Sequence, residues 1–150
     1  MVSAVVVLDA GPLGLLSNPK PSALPIACRQ WVAAMQAAKR RLIVPEIADY
    51  EVRRELLRAG FPLSIALLDA LAQQLEYLPL STAAMRQAAD FWAIVRQAGL
   101  PTAGDKTIDA DVILAAQAAT LGTPDIVIAT TNIGHLSRFV PAELWQNIVP

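Results

Sequence analysis

The chain carries thirteen Asp and Glu residues and one His. A few of these acids fall where a carboxylate needs explaining. Asp9 ends the apolar run Val5-Val6-Val7-Leu8 and is followed at once by Ala10-Gly11-Pro12. Such a run reads as a strand buried on both faces. Its carboxyl end is the edge of an α/β sheet where ligands bind. Burying a lone carboxylate costs roughly several kcal/mol unless it is paired or meets a cation. Two roles are open for Asp9: an N-cap for the next turn, or a metal ligand or catalytic carboxylate.

Three further stretches could join it. Glu51, Arg54, Glu55 and Arg58 recur at i, i+3, i+4 and i+7, which puts them on one helix face. By spacing alone that is a solvated face laced with ion pairs. In the alternative, Glu51 projects over the strand ends. Asp105, Asp109 and Asp111 cluster at a helix start, where the helix dipole favours carboxylates. Capping accounts for Asp109. It leaves Asp111, followed by the apolar Val-Ile-Leu-Ala-Ala, open between a capping and a ligand role. The run Ile126-Val127-Ile128-Ala129 ends in Thr130-Thr131-Asn132, suited either to a turn or to orienting a water or ligand. No HExxH, CxxC, GxSxG or zinc-ligand spacing occurs. His135, beside Leu136 and Phe139, reads as a packing residue, and the single Cys28 as core.

The elements that must position these residues follow from periodicity. Strands are expected at 5–8, 42–44, 76–80 and 126–130, with an edge strand at 148–149. Helices are expected at 26–39, 46–59, 62–74, 82–99 and 109–121, and a short helical piece from Gly14. Residues 100–106 read as a loop, and 133–139 and 141–145 as short helical or loop pieces. Strands separated by helices predict a three-layer α/β/α sandwich around a mainly parallel sheet of four to five strands. The length of 150 residues fits a single domain spanning 1–150.

The apolar fraction of 55% and a mean hydropathy of +0.44 are high for so small a chain. They predict an exposed apolar patch covered by a partner, and hence a homodimer. No apolar run reaches the ~18 residues of a membrane span, so no membrane partner is expected. The start Met-Val-Ser-Ala lacks a signal peptide's charged region, and one cysteine fits a reducing cytoplasm. A net charge of −1 confines any nucleic-acid contact to local patches.

Taken in order, four segments resemble the PIN-domain family, in particular VapC-like toxins of toxin–antitoxin modules. They are Val-Leu-Asp9-Ala-Gly-Pro-Leu, Pro45 to Glu51 with Arg53-Arg54-Glu55-Leu56, Asp111-Val-Ile-Leu-Ala-Ala-Gln-Ala, and Ile128-Ala-Thr-Thr-Asn-Ile-Gly-His-Leu-Ser-Arg-Phe. The resemblance spans nearly the whole chain. It implies a PIN-like fold and a metal-dependent endoribonuclease, with RNA as substrate, a cognate antitoxin as partner and Mg²⁺ or Mn²⁺ as cofactor. It assigns Asp9, Glu51 and Asp111 as metal-binding and catalytic acids, with Glu55 the fallback for Glu51. Asn132 stands where many relatives have a fourth acid. An amide oxygen ligates a hard cation without supplying charge; Asp109 is the candidate to compensate. Thr130, Thr131, Arg53, Arg54 and Lys106 are expected at the substrate. The alternative is a catalytically weak or inactive PIN-like module that binds RNA or protein. A receiver-like phosphoacceptor is disfavoured, because Ala10 follows Asp9 and no Lys follows the late strand.

Overall fold

The computed structural model describes residues 5–99, 105–134 and 136–150, the side chains of 105–107 excepted. Its five strands are β1 (Val5–Leu8), β2 (Arg41–Pro45), β3 (Glu76–Leu78), β4 (Ile126–Thr130) and β5 (Ala142–Leu144). They form one sheet in the order β3-β2-β1-β4-β5, and every neighbouring pair is parallel. The centre of the sheet is its most apolar part. β1 and β4 are buried at every position, which is possible only if helices cover both faces.

The helices are α1 (Ala10–Leu16), α2 (Ala23–Ala37), α3 (Glu46–Ala59), α4 (Pro62–Gln74), α5 (Thr82–Gln97) and α6 (Asp105–Ala119). Because strand side chains alternate between faces, β1 sends Val6 and Leu8 to one core and Val5 and Val7 to the other. The first core holds Leu13 and Leu16 of α1 and Trp31, Val32 and Met35 of α2. The second holds Leu114, Ala115 and Ala118 of α6, with α5 packed behind α6 through Ala88, Val95, Ile108, Val112 and Ala116. Helix α3 serves both sides, giving Ala48 and Val52 to the first core and Ile47 to the second.

The sandwich is as expected and the sheet is wholly parallel. Most other boundaries shift by a few residues, as where α2 runs Ala23–Ala37 rather than 26–39, and three differences change an expected role or element. Helix α1 begins directly after Asp9, so Gly11 and Pro12 lie inside it. A first-turn amide has no intrahelical acceptor, so Pro12 costs that turn nothing. Helix α6 begins at Asp105, which places Asp109 inside it rather than at its cap. The last strand is residues 142–144, and 148–149 is not a strand. Ile148 instead packs into the first core, and its carbonyl accepts a 2.9 Å hydrogen bond from Trp31 Nε1. A three-residue edge strand is too short to show alternation in sequence. Cys28 is core as expected, its thiol pushed up to about 12 by burial. No helix among the described residues is long and apolar enough to cross a membrane.

Candidate active site at the carboxyl edge of the sheet

The chain runs outward from β1 to β2 and β3, then returns to the other side of β1 as β4. The crevice between the carboxyl ends of β1 and β4 is therefore the topological switch point, where open α/β sheets bind ligands. Leu8 pairs with Ala129, so the next residues, Asp9 and Thr130, meet across that crevice. The Thr130 hydroxyl donates a 2.7 Å hydrogen bond to Asp9 Oδ2 and accepts one of 3.0 Å from the Asn132 amide. Asp9 Oδ1 accepts from the Ala10 amide at 2.7 Å as the N-cap of α1. Both roles open for Asp9 in the sequence are thus compatible: one oxygen caps α1, while the other faces the crevice.

Glu51 reaches the same region from α3, and Asp111 from α6. Burial pushes Glu51 up to about 7; the Asp9 charge adds to the shift, the Arg54 guanidinium opposes it, and Asp111 raises it further. Asp111 is pushed up to about 6, again by burial first and then by Asp9. Burial also raises Asp9, against the hydrogen bonds from Thr130 and Ala10. Three acids from distant parts of the chain therefore sense one another in a partly desolvated crevice. Among the described residues, no three His, Cys, Asp or Glu side chains stand as a formed set of metal ligands. The acids are neighbours without converging on one point.

The helix placement that brings Glu51 and Asp111 together is tied by a residue that lies within the segment Asp111-Val-Ile-Leu-Ala-Ala-Gln-Ala, with no role evident there. Gln117 is 1% exposed. Its Oε1 accepts from the Ile47 amide at 3.1 Å and its Nε2 donates to the Leu78 carbonyl at 3.0 Å. It satisfies a first-turn amide of α3, which no intrahelical carbonyl can reach, and so ties α6 to α3 and to the end of β3. A polar residue inside the apolar stretch that follows Asp111 was its only signal.

The remaining expected site residues divide. Arg54 stays beside Glu51, its guanidinium 5.1 Å from the Tyr50 ring centroid. Thr131 and Asn132 are exposed just beyond the β4 end. Thr131 packs against α1 so closely that a Cβ on Gly11 would lie 2.6 Å from its Cγ2. Thr130 is fully buried and holds Asp9. The Arg53 guanidinium pairs with Asp49 at 3.0 Å and Asp69 at 2.7 Å. Neighbouring helix residues differ by about 100° in direction, which gives Arg53 partners other than the Glu51 that Arg54 lies beside. Glu55 pairs with Arg58 on the exposed surface. The Lys106 side chain and His135 lie outside the described residues.

No family model matches the chain, and no curated protein matches it by sequence. Solved structures do match in fold. A chain of VapBC2 from Rickettsia felis, bound to a DNA fragment from its promoter, superposes with a TM-score of 0.73 at 17% identity. That match covers 94% of this chain and 98% of the other. The chain has a PIN-like fold. DNA-bound VapBC from Salmonella typhimurium gives a TM-score of 0.65 at 19% identity, covering 97% and 99% of the two chains. A member of the VapBC family of toxin–antitoxin systems from Mycobacterium tuberculosis, VapBC-5, gives 0.58 at 19%, covering 94% and 97%. The PIN-like architecture thus accounts for the end-to-end order of the four segments, from the β1 acid to the Thr-Thr-Asn turn after β4.

Proposed function

We propose that the chain is a divalent-metal-dependent endoribonuclease and the toxin component of a toxin–antitoxin module. The observation that carries this reading is the gathering of three partly buried acids at the switch point, where burial raises Asp9, Glu51 and Asp111 and the Asp9 charge adds to the shifts of the other two. Crowded carboxylates favour neutralisation by protons or by a cation. An all-oxygen donor set suits Mg²⁺ or Mn²⁺ over zinc. Asp9, Glu51 and Asp111 would hold the ion, with the Asn132 amide oxygen as a neutral fourth donor. Such an ion supplies Lewis-acid polarisation of a phosphodiester and a bound water of lowered pKa. The chain's own contribution is orientation. Thr130 fixes the Asp9 carboxylate, Gln117 fixes α6 against α3, and Arg54 sets a positive charge beside Glu51 for the RNA backbone.

The partners follow from the surface and the comparisons. Leu57, Phe61 and Leu63 are 63%, 55% and 61% exposed where α3 meets α4. Met85, Trp92 and Ile94 are exposed on α5. Two separate apolar areas suit two partners, a second copy and an antitoxin, and the similar structures are VapBC complexes. A cytoplasmic site of action is part of this reading.

The test is RNA cleavage during Mn²⁺ titration of purified protein. Activity should require metal and disappear with EDTA or Asp9→Asn. Cleavage that survives both would end the reading. The second reading is a PIN-like module that binds RNA or protein without cutting. It is favoured by the lack of a formed ligand set among the described residues and by Asn132 in place of an acid. Calorimetry separates the two, because Mn²⁺ binding that depends on Asp111 belongs only to the nuclease.

A further inference from the structure

Two open clefts flank the acids. One, of about 420 Å³, is lined by Ala10, Gly11 and Gly14 of α1 together with Glu51, Arg54 and Glu55. The other, of about 390 Å³, is lined by Tyr50, Glu51, Arg54, Asp109, Ala110 and Ile113. Glu51 and Arg54 belong to both, so they form the ridge between the clefts. The α1 side offers small residues, and a Cβ on Gly14 would meet nothing within 4 Å. That side leaves room for a sugar–phosphate chain to lie close to the backbone. The α6 side is chemically different. Tyr50 is 55% exposed there, with the Arg54 guanidinium over its ring, and Ala110 and Ile113 add apolar wall. Its charges are two carboxylates, Glu51 and Asp109, against one cation. That set gives a phosphate no net attraction, whereas a flat neutral ring needs none.

We propose that the α6-side cleft is a nucleobase subsite: Tyr50 with Arg54 forms the stacking platform, and Asp109 accepts a hydrogen bond from an amino-bearing base. This inference rests on the nuclease reading for its substrate class, single-stranded RNA. Unpaired bases stack on aromatic rings and guanidinium planes. A carboxylate pairs with an exocyclic amine, which adenine, cytosine and guanine carry. Uracil has a single ring N–H between two carbonyl oxygens, so Asp109 selects against it. Asp109, exposed inside α6, is thereby a specificity residue rather than a cap.

The experiment is fluorescence-anisotropy binding of full-length protein to labelled oligoadenylate and oligouridylate of equal length. EDTA is present so that a metal-dependent reaction is stopped. Wild type should bind oligoadenylate more tightly. Tyr50→Ala should weaken that binding by about tenfold, the order expected for one lost base stack, while Tyr50→Phe restores it. Asp109→Ala should erase the preference over oligouridylate. Thermal melts and sedimentation of each variant should match wild type, as exposed positions allow. The subsite is overturned if Tyr50→Ala binds as wild type does, if wild type shows no preference or no binding, or if Tyr50→Ala changes the oligomer mass, which would assign Tyr50 to a second copy. Cleavage with Mn²⁺ is measured in parallel. Cleavage with no effect of Tyr50→Ala on binding sinks the subsite alone. Selective, Tyr50-dependent binding without cleavage sinks the nuclease reading alone.

Discussion

Asp9 and Thr130 are 121 positions apart, and the Thr130 hydroxyl donates a 2.7 Å hydrogen bond to Asp9 Oδ2 across the switch point of the sheet. Thr130 has no exposed surface, so its hydroxyl serves the carboxylate rather than a ligand. Thr130→Val keeps the shape and removes both hydrogen bonds. Losing a hydrogen bond to a buried charged group costs on the order of 1.5–3 kcal/mol. A loss of outer support for a metal ligand typically weakens metal affinity or activity by about 10–100-fold. Thr130→Ser should recover most of both. Mn²⁺ calorimetry and thermal melts check this, and an unchanged metal affinity in Thr130→Val would assign Asp9's orientation to Ala10 alone.

Protonation should tune stability with a definite sign. The folded state holds the Glu51 and Asp111 protons up to about 7 and about 6, whereas the unfolded chain releases them near 4.5 and 3.8. Between these values the folded state binds more protons, so stability falls as pH rises. Solvent screening at these partly buried groups limits the effect to about 1 kcal/mol, or roughly 2–4 °C in a chain of this size. Melts of EDTA-treated protein should therefore drop from pH 5 to pH 8. Glu51→Gln should flatten the drop, and Mn²⁺ should raise Tm more at pH 8 than at pH 5.

Gln117→Leu should leave the Ile47 amide buried without an acceptor. An orphaned buried donor costs about 1–3 kcal/mol, so Tm should fall by several degrees. Because Gln117 also fixes α6 against α3, cleavage should fall by more than the unfolded fraction explains. Activity measured well below the melting transition separates the two effects.

The two arginines after Glu51 should behave oppositely. Arg53→Gln breaks the pairs with Asp49 and Asp69, lowering stability by about 1 kcal/mol or less and leaving cleavage intact. Arg54→Gln should leave stability nearly unchanged, raise KM for RNA and flatten its salt dependence. Equal effects on KM would return Arg53 to the site.

Gly11→Ala should be harmful and Gly14→Ala benign. A Cβ at Gly11 would press into Thr131, while one at Gly14 meets nothing within 4 Å. Alanine favours a helix-interior position over glycine by about 0.5–1 kcal/mol where its Cβ has room. Gly14→Ala should therefore keep or raise Tm, and Gly11→Ala should lower it.

The sequence by itself determined the strands β1, β2, β3 and β4, helices α3 and α4 to the residue, and the position of Asp9 at the end of β1. Those features are local: an apolar run without periodicity, or a Pro-to-Gly span with helical spacing, is set by neighbours in the chain. The tertiary structure alone decided which polar side chains face which. Arg53 and Arg54 are adjacent in sequence, yet one helix step sends one guanidinium to Asp49 and Asp69 and leaves the other beside Glu51. Thr130 reads as a turn residue and Gln117 has no evident role until β4 lies against β1 and α6 lies against α3. Their partners are far away along the chain, and a hydrogen bond depends on a few tenths of an ångström that no spacing rule carries.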